Sequence, residues 1–141
     1  MKVENAVYPT VEQLMPLADE RAPAPIAMVN LLKFHDRARY RDGRASELTG
    51  REAYLRYVEA MQPIVEGAGG RFLFSGSVRT LVIGAVDDLW DDVAIAEYPS
   101  PAAFHAIATS PEVMAIGVHR EAGLAGQLLI MTDGRVVAGP P

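Results

Sequence analysis

Four polar side chains stand alone in otherwise apolar runs of this sequence, and chemistry is best placed there. Asn30 interrupts the run 26–34, Ser75 follows Phe72-Leu73-Phe74, Glu97 follows Val93-Ala94-Ile95-Ala96, and Gln127 precedes Leu128-Leu129-Ile130. Two amides, a hydroxyl and a carboxylate among apolar neighbours are what a small-molecule site requires: an apolar cavity with a few groups that orient the ligand. If the parity carrying each polar residue faces away from the covering helices, the four converge in one cavity. The alternative is that they hydrogen-bond to one another or to a second subunit.

Glu97 is the group with most catalytic reach. A carboxylate between Ile95 and Pro99 is expected to be partly desolvated, which suits a general acid or base. Its other reading is an ion pair with Arg71 or Arg120. His105 is the second acid/base candidate, on a helix expected to flank the cavity mouth. Asn30 and Arg71 would orient a substrate oxygen, and Ser75, Gln127 and Tyr54 would line the site. Tyr54 and Tyr57 fall on a buried helical stripe, where most tyrosines are core residues with a satisfied hydroxyl. His35, His105 and His119 are not spaced for a metal, there is no His-Glu-x-x-His motif, and no cysteine occurs. No metal and no cofactor are predicted. Gly67-Ala68-Gly69-Gly70 follows a helix and not a strand, so it reads as a helix end and not as a dinucleotide loop.

The elements that must position these residues are legible from period and punctuation. Thr10 with Gln13 forms a capping box for a short helix that Pro16 kinks or ends. Residues 26–34 are apolar on both parities, as in a strand covered on both faces. An arginine-rich loop spans 35–48, suited to a solvated loop or a lid. Thr49-Gly50-Arg51-Glu52 is a second capping box. It opens a long helix with Tyr54, Tyr57, Val58, Met61, Val65 and Ala68 on one stripe. Pro63 should bend that helix, and Gly69 or Gly70 should supply its left-handed end. Strands are expected at 71–77, 93–98 and 127–132, with a short hairpin strand at 80–84. Ser100-Pro101 and Ser110-Pro111 each place a serine cap before a proline, the start of a helix.

Strand, long helix, strand, hairpin strand, strand, helix pair, strand is an α+β order. It corresponds to the split βαβ of ferredoxin-like domains around an antiparallel sheet. A doubly wound parallel sheet is the alternative, but the connection after 71–77 is too short for a crossover helix. A core domain at 26–133 is expected, with an N-terminal extension at 1–25 and a loose tail at 134–141.

The composition is that of a globular protein: 141 residues, 50% hydrophobic and 22% charged. A formal net charge of −5 argues against nucleic acid, which demands a concentrated basic face. No apolar run reaches the roughly 18 residues of a membrane span, and the N-terminus lacks the apolar core of a signal peptide. A cytoplasmic location with no membrane contact is expected.

Met28-Val29-Asn30-Leu31-Leu32-Lys33-Phe34, Gly50-Arg51-Glu52-Ala53-Tyr54, Gly69-Gly70-Arg71, Glu97-Tyr98-Pro99-Ser100, Phe104 and His119-Arg120 occur in an order and spacing that resemble the domain-of-unknown-function 1330 family of the dimeric α/β barrel superfamily. The similarity spans roughly residues 26–131. The resemblance implies a ferredoxin-like subunit whose sheet packs against that of a second subunit. The superfamily holds cofactor-free monooxygenases, haem-degrading enzymes, isomerases and cyclases, so fold does not fix function. Haem-degrading members use an asparagine, a tryptophan and a histidine. Asn30, Trp90 and His105 follow that order here, although Trp90 sits in a polar turn. Independently, both long helical connections should cover one sheet face and leave an apolar face bare, which predicts a homodimer. Two functions remain open: a small cofactor-independent enzyme acting on an apolar or aromatic substrate, or a non-catalytic ligand-binding or structural dimer.

Overall fold

A computed structural model describes residues 1–134. The expected tail therefore lies, from residue 135 on, outside the described residues. Four strands, β1 (Ile26–Phe34), β2 (Arg71–Ser77), β3 (Asp92–Tyr98) and β4 (Leu124–Thr132), form one sheet in the order β2-β3-β1-β4. All three neighbouring pairs are antiparallel. The helices are α1 (Val11–Leu14), α2 (Gly50–Gly67), α3 (Pro101–Ala108) and α4 (Pro111–Gly123). Helix α2 crosses from β1 to β2, and α3 with α4 crosses from β3 to β4. This is the ferredoxin-like α+β arrangement expected from the element order.

Local chemistry explains the boundaries. Both capping boxes form: the Thr10 hydroxyl accepts from Gln13 N–H, and the Thr49 hydroxyl from Glu52 N–H, with the glutamine and glutamate side chains returning the bond. Pro16 converts the first helix into a 3-10 turn over Met15–Asp19. Ser100 and Ser110 cap α3 and α4, each with proline inside the first turn. Helix α2 ends at Gly69, whose φ of 89° is open to glycine at no steric cost.

One expected element is absent. Residues 80–84 are not a strand but part of the long connection between β2 and β3. Backbone pairing ends where Val78 N–H donates to Asp91 carbonyl; beyond that point the two arms separate. Val82 and Ile83 are 85% and 88% exposed, so their β-branched character had no partner strand to satisfy.

The core lies between the sheet and the helices. Ile26, Met28, Ala96 and Tyr98 pack with Met61 and Val65 of α2, Ile107 of α3 and Val113 of α4. A second cluster joins Leu32, Tyr54 and Leu124. Helix α2 and the end of α4 approach at backbone contact: a Cβ on Gly123 would lie 2.4 Å from the Gly50 carbonyl oxygen and 2.9 Å from Tyr54 N.

Register decides which strand residues share a face. Asn30 pairs with Ala94, and Leu32 with Asp92 and Gln127, so these lie with Met28 on the helix side. Val29, Leu31, Val93, Ile95, Leu128 and Ile130 take the opposite face, which no helix covers. Val93 and Ile95 are among the apolar residues left without helical cover. Leu32 and Phe34 instead pack with Tyr54 beneath α2, and Leu129 and Met131 share the helix-side parity at the edge of the sheet.

Candidate functional site

The four isolated polar residues divide between the two faces of the sheet, which corrects the expectation of a single cluster. Asn30, Ser75 and Gln127 are on the helix side; Glu97 is on the open side. A β-bulge between Phe72 and Phe74 produces part of this division. In an unbroken strand, Arg71 and Ser75 would share a face. The extra residue turns Arg71 toward Glu97 on the open side and Ser75 to the helix side.

Glu97 forms an ion pair with Arg71 Nε at 3.1 Å, with the guanidinium largely exposed. This is the ion-pair reading of Glu97, not the desolvated acid/base one. Ser75 is exposed on the edge strand. His105 is half-buried on α3, a helix that packs mainly against the 3-10 segment. Asn30, Trp90 and His105 share no hydrogen bond among the described residues. Trp90 Nε1 donates instead to Asn5 Oδ1 at 2.8 Å.

Asn30 and Gln127 do come together. Gln127 Nε2 donates to Asn30 Oδ1 at 2.7 Å, and Gln127 Oε1 accepts from Arg120 at 2.5 Å. Asn30 Nδ2 completes the relay, donating to the carbonyls of Met28 at 3.3 Å and Ala94 at 3.2 Å. Donors and acceptors run in one direction, from the guanidinium to the sheet backbone. Both amide orientations are thereby fixed, and both Asn30 N–H groups are engaged. These residues brace Arg120 and are not themselves free ligand groups.

Arg120 is half-buried and makes no salt bridge among the described residues. Its guanidinium carbon lies 5.6 Å from the centroid of the Tyr8 ring. The neighbouring Glu121 is engaged elsewhere, by the Tyr8 hydroxyl and by Arg41 at 3.4 Å. Burial pushes the Tyr54 hydroxyl well above the ordinary phenol range, with neighbouring Tyr57 adding to the rise; nearby Arg120 offsets this only in part. Burial raises Tyr57, again against Arg120, and burial with Tyr57 raises Tyr98. The three are neutral donors at physiological pH. None of their hydroxyls has a protein hydrogen-bond partner among the described residues, yet no buried polar side-chain atom is left without one. The hydroxyls therefore keep some contact with solvent, where the helices meet the sheet. The rings of Tyr54 and Tyr57 lie 5.6 Å apart, and Phe34 lies 5.4 Å from Tyr54.

Two clefts lie elsewhere. A cleft of about 320 Å³ is lined by Asp19, Arg21, Ile26, Pro101 and Asp133, and another of about 260 Å³ by Ile64, Ile107 and Ser110. Neither contains the relay or its tyrosines. Among the described residues, no cluster of three metal-ligating side chains occurs, and no helix is long and apolar enough to cross a membrane.

Arg120 enters the sequence reading only as an alternative ion-pair partner of Glu97, a role that falls to Arg71, and not as a site residue. A signal was present. Val113, Ile116, Arg120 and Gly123 follow a helical stripe whose other members are buried or half-buried. A charge on such a stripe requires an interior partner.

The strand order and one-sided helical cover define a ferredoxin-like α+β domain with a braced arginine beneath its helices. The chain belongs to the DUF1330 family, a domain of unknown function whose family model matches residues 40–133. It is similar to RPA0582, a protein of unknown function from Rhodopseudomonas palustris. The two are 35% identical over 95% of this chain and 100% of that one, with a TM-score of 0.81. A structure of methylated RPA0582 gives 37% identity, 94% and 96% coverage and a TM-score of 0.82. The hydroxynitrile lyase of Passiflora edulis shares the fold at 12% identity and a TM-score of 0.51, covering 78% of this chain and 93% of its own. No curated protein matches the chain.

Proposed function

We propose that the protein is a homodimer that binds a small organic molecule in each subunit, in a crevice between helices and sheet beside Arg120. The observation that carries this reading is Arg120. A half-buried guanidinium, without an ion-pair partner among the described residues and held by Gln127, which Asn30 anchors, lies near Tyr54 and Tyr57, whose hydroxyls have no protein partner among the described residues. Orienting groups fixed in advance within apolar walls are what a ligand site requires.

Binding without catalysis is the function this geometry supports best. Proton transfer needs a base near the bound molecule. The tyrosines, their hydroxyls raised by burial, are donors and not bases. Glu97 is committed to Arg71 on the other face, and His105 stands on a helix packed elsewhere. The pairing of subunits is supported by the open sheet face, where Phe74 and Ile130 are 56% and 47% exposed among a continuous set of apolar neighbours. On this reading Glu97 and Arg71 belong to the subunit contact.

NMR titration of the isotope-labelled full chain with small aromatic compounds tests the site. Binding should move the resonances of Tyr54, Tyr57 and the Arg120 side chain. Shifts confined to the cleft around Pro101 would relocate the site and end the proposal.

A further inference from the structure

We propose that this crevice takes a flat organic monoanion: a carboxylate on an aromatic or short apolar body, with the carboxylate seated on Arg120. This rests on the crevice being the ligand site.

Arg120 is a half-buried cation on the helix side of the sheet that forms no ion pair among the described residues. Asp92 is paired with Arg51, and Glu121 is engaged by Tyr8 and Arg41. The Asn30–Gln127 relay runs its donors toward backbone carbonyls, so it carries no charge that could neutralise Arg120. A half-buried cation without an anion is an uncompensated desolvation, and a bound anion relieves it. A monoanion brings one charge to the one unpaired guanidinium; a phosphate dianion would carry a second, unpaired charge into the same low-dielectric space.

Geometry favours a carboxylate. Guanidinium presents five N–H donors in a planar fork, and Gln127 uses only one direction. The Tyr8 ring lies near the guanidinium without accepting any of its N–H bonds. A carboxylate can therefore approach the remaining edge with two parallel hydrogen bonds. The neutral tyrosine hydroxyls add donors for a carboxylate oxygen, and the Phe34, Tyr54 and Tyr57 rings offer a wall for a flat apolar body. Because Arg120 is already held in place, little side-chain freedom is lost on binding.

Benzoate and benzamide separate charge from shape, having the same ring and nearly the same outline. Binding of each to the full-length wild-type protein, Arg120→Gln and Arg120→Lys would be followed by NMR, with spectral dispersion reporting the fold of each variant. Wild type should prefer benzoate by at least about tenfold. Arg120→Gln should abolish that preference, and Arg120→Lys should keep it at reduced size, because the charge remains and the fork is lost. Equal affinities in wild type, or a benzoate preference that survives in Arg120→Gln, would overturn the proposal. If Arg120→Gln does not fold, an undiminished preference in Arg120→Lys would overturn it. Benzamide binding at Tyr54 and Tyr57 without benzoate binding would remove the anion and leave the crevice as a ligand site. Binding of neither would remove both.

Discussion

Gln127 on β4 reaches across the sheet to Asn30 on β1, its amide nitrogen 2.7 Å from the asparagine oxygen, and the two side chains together set the position of a third residue on α4. Neither partner is a neighbour of the other in sequence, and Asn30 is directly opposite Leu129, not Gln127, in the strand register. The bond is thus a diagonal one, made by side-chain length on the helix side of the sheet.

Replacing Asn30 by Leu should therefore do more than remove one hydrogen bond. Gln127 would keep its bond to Arg120 but lose its acceptor in a buried site. A destabilisation of about 1–3 kcal/mol is expected, measurable as a lower urea midpoint. Asn30→Asp should have a pH signature instead. A carboxylate would face the Met28 and Ala94 carbonyls, which raises its pKa in the folded state. Stability of that variant should approach wild type at acid pH and fall away as pH rises toward neutrality. A pH-independent difference from wild type would contradict this.

The faces of the strands were only partly legible in the sequence. Apolar character on both parities of 26–34 marked a strand, of which the helices cover one face, and the two serine-proline starts located α3 and α4. Each strand's polar exception was also visible. What could not be read was how parities combine between strands, because register is a tertiary property and one bulge inverts it. Leu73 in the β2 bulge is such a case: nothing about its type marks it as the residue that separates Arg71 from Ser75. The 80–84 run failed for a related reason, since a β-prone sequence becomes a strand only where a neighbour offers pairing.

Two histidines set the acid side of the stability profile. Burial, then Arg44 and Arg56, hold His119 below its usual range, and burial with Arg39 does the same for His35. The Tyr40 hydroxyl lies 2.7 Å from His119 Nδ1, and the two share a hydrogen bond whose direction follows the imidazole tautomer. The unfolded chain takes up protons near pH 6.5, the folded chain only at lower pH. Stability should be intact above about pH 7 and decline as pH falls through about 6.5 toward the folded values. Urea midpoints across that window should show the decline, and His119→Gln should make it shallower. An unchanged slope in His119→Gln would assign the effect to His35.

Subunit pairing through the open face predicts a simple outcome. Ile95 and Ile130 lie on that face and touch no helix. Ile95→Glu or Ile130→Asp should halve the mass seen by light scattering while leaving the helical circular dichroism in place. A wild-type protein that is monomeric at micromolar concentration would refute the pairing outright.

The close approach of Gly123 to α2 sets a steric limit near the site. Gly123→Ala would drive a Cβ to 2.4 Å from the Gly50 carbonyl oxygen, a backbone atom that cannot turn aside. Either α2 or the end of α4 must move. The expected loss is about 1–3 kcal/mol, read from thermal unfolding. Gly117→Ala on the same helix meets nothing within 4 Å and should be neutral or slightly stabilising.

The N-terminal strap offers a way to perturb Arg120 without altering it. Ala6 bridges to Gln127 through both backbone hydrogen bonds, Asn5 accepts from Trp90, and Tyr8 lies beneath the Arg120 guanidinium while bonding Glu121. A Cβ on Gly126 would meet the Asn5 Cβ at 2.7 Å. Gly126→Ala should therefore push the strap off β4 and break the Trp90 bond. Trp90 is the only tryptophan, so its fluorescence reports the event directly, and a shift to longer wavelength is expected. Because Tyr8 leaves with the strap, Arg120 becomes more accessible, and ligand association at the crevice should quicken even where affinity falls. Unchanged Trp90 emission in a folded Gly126→Ala protein would mean that Asn5 adjusts within the strap. A red shift with an unaltered association rate would show that the strap stands beside the site and does not cover it.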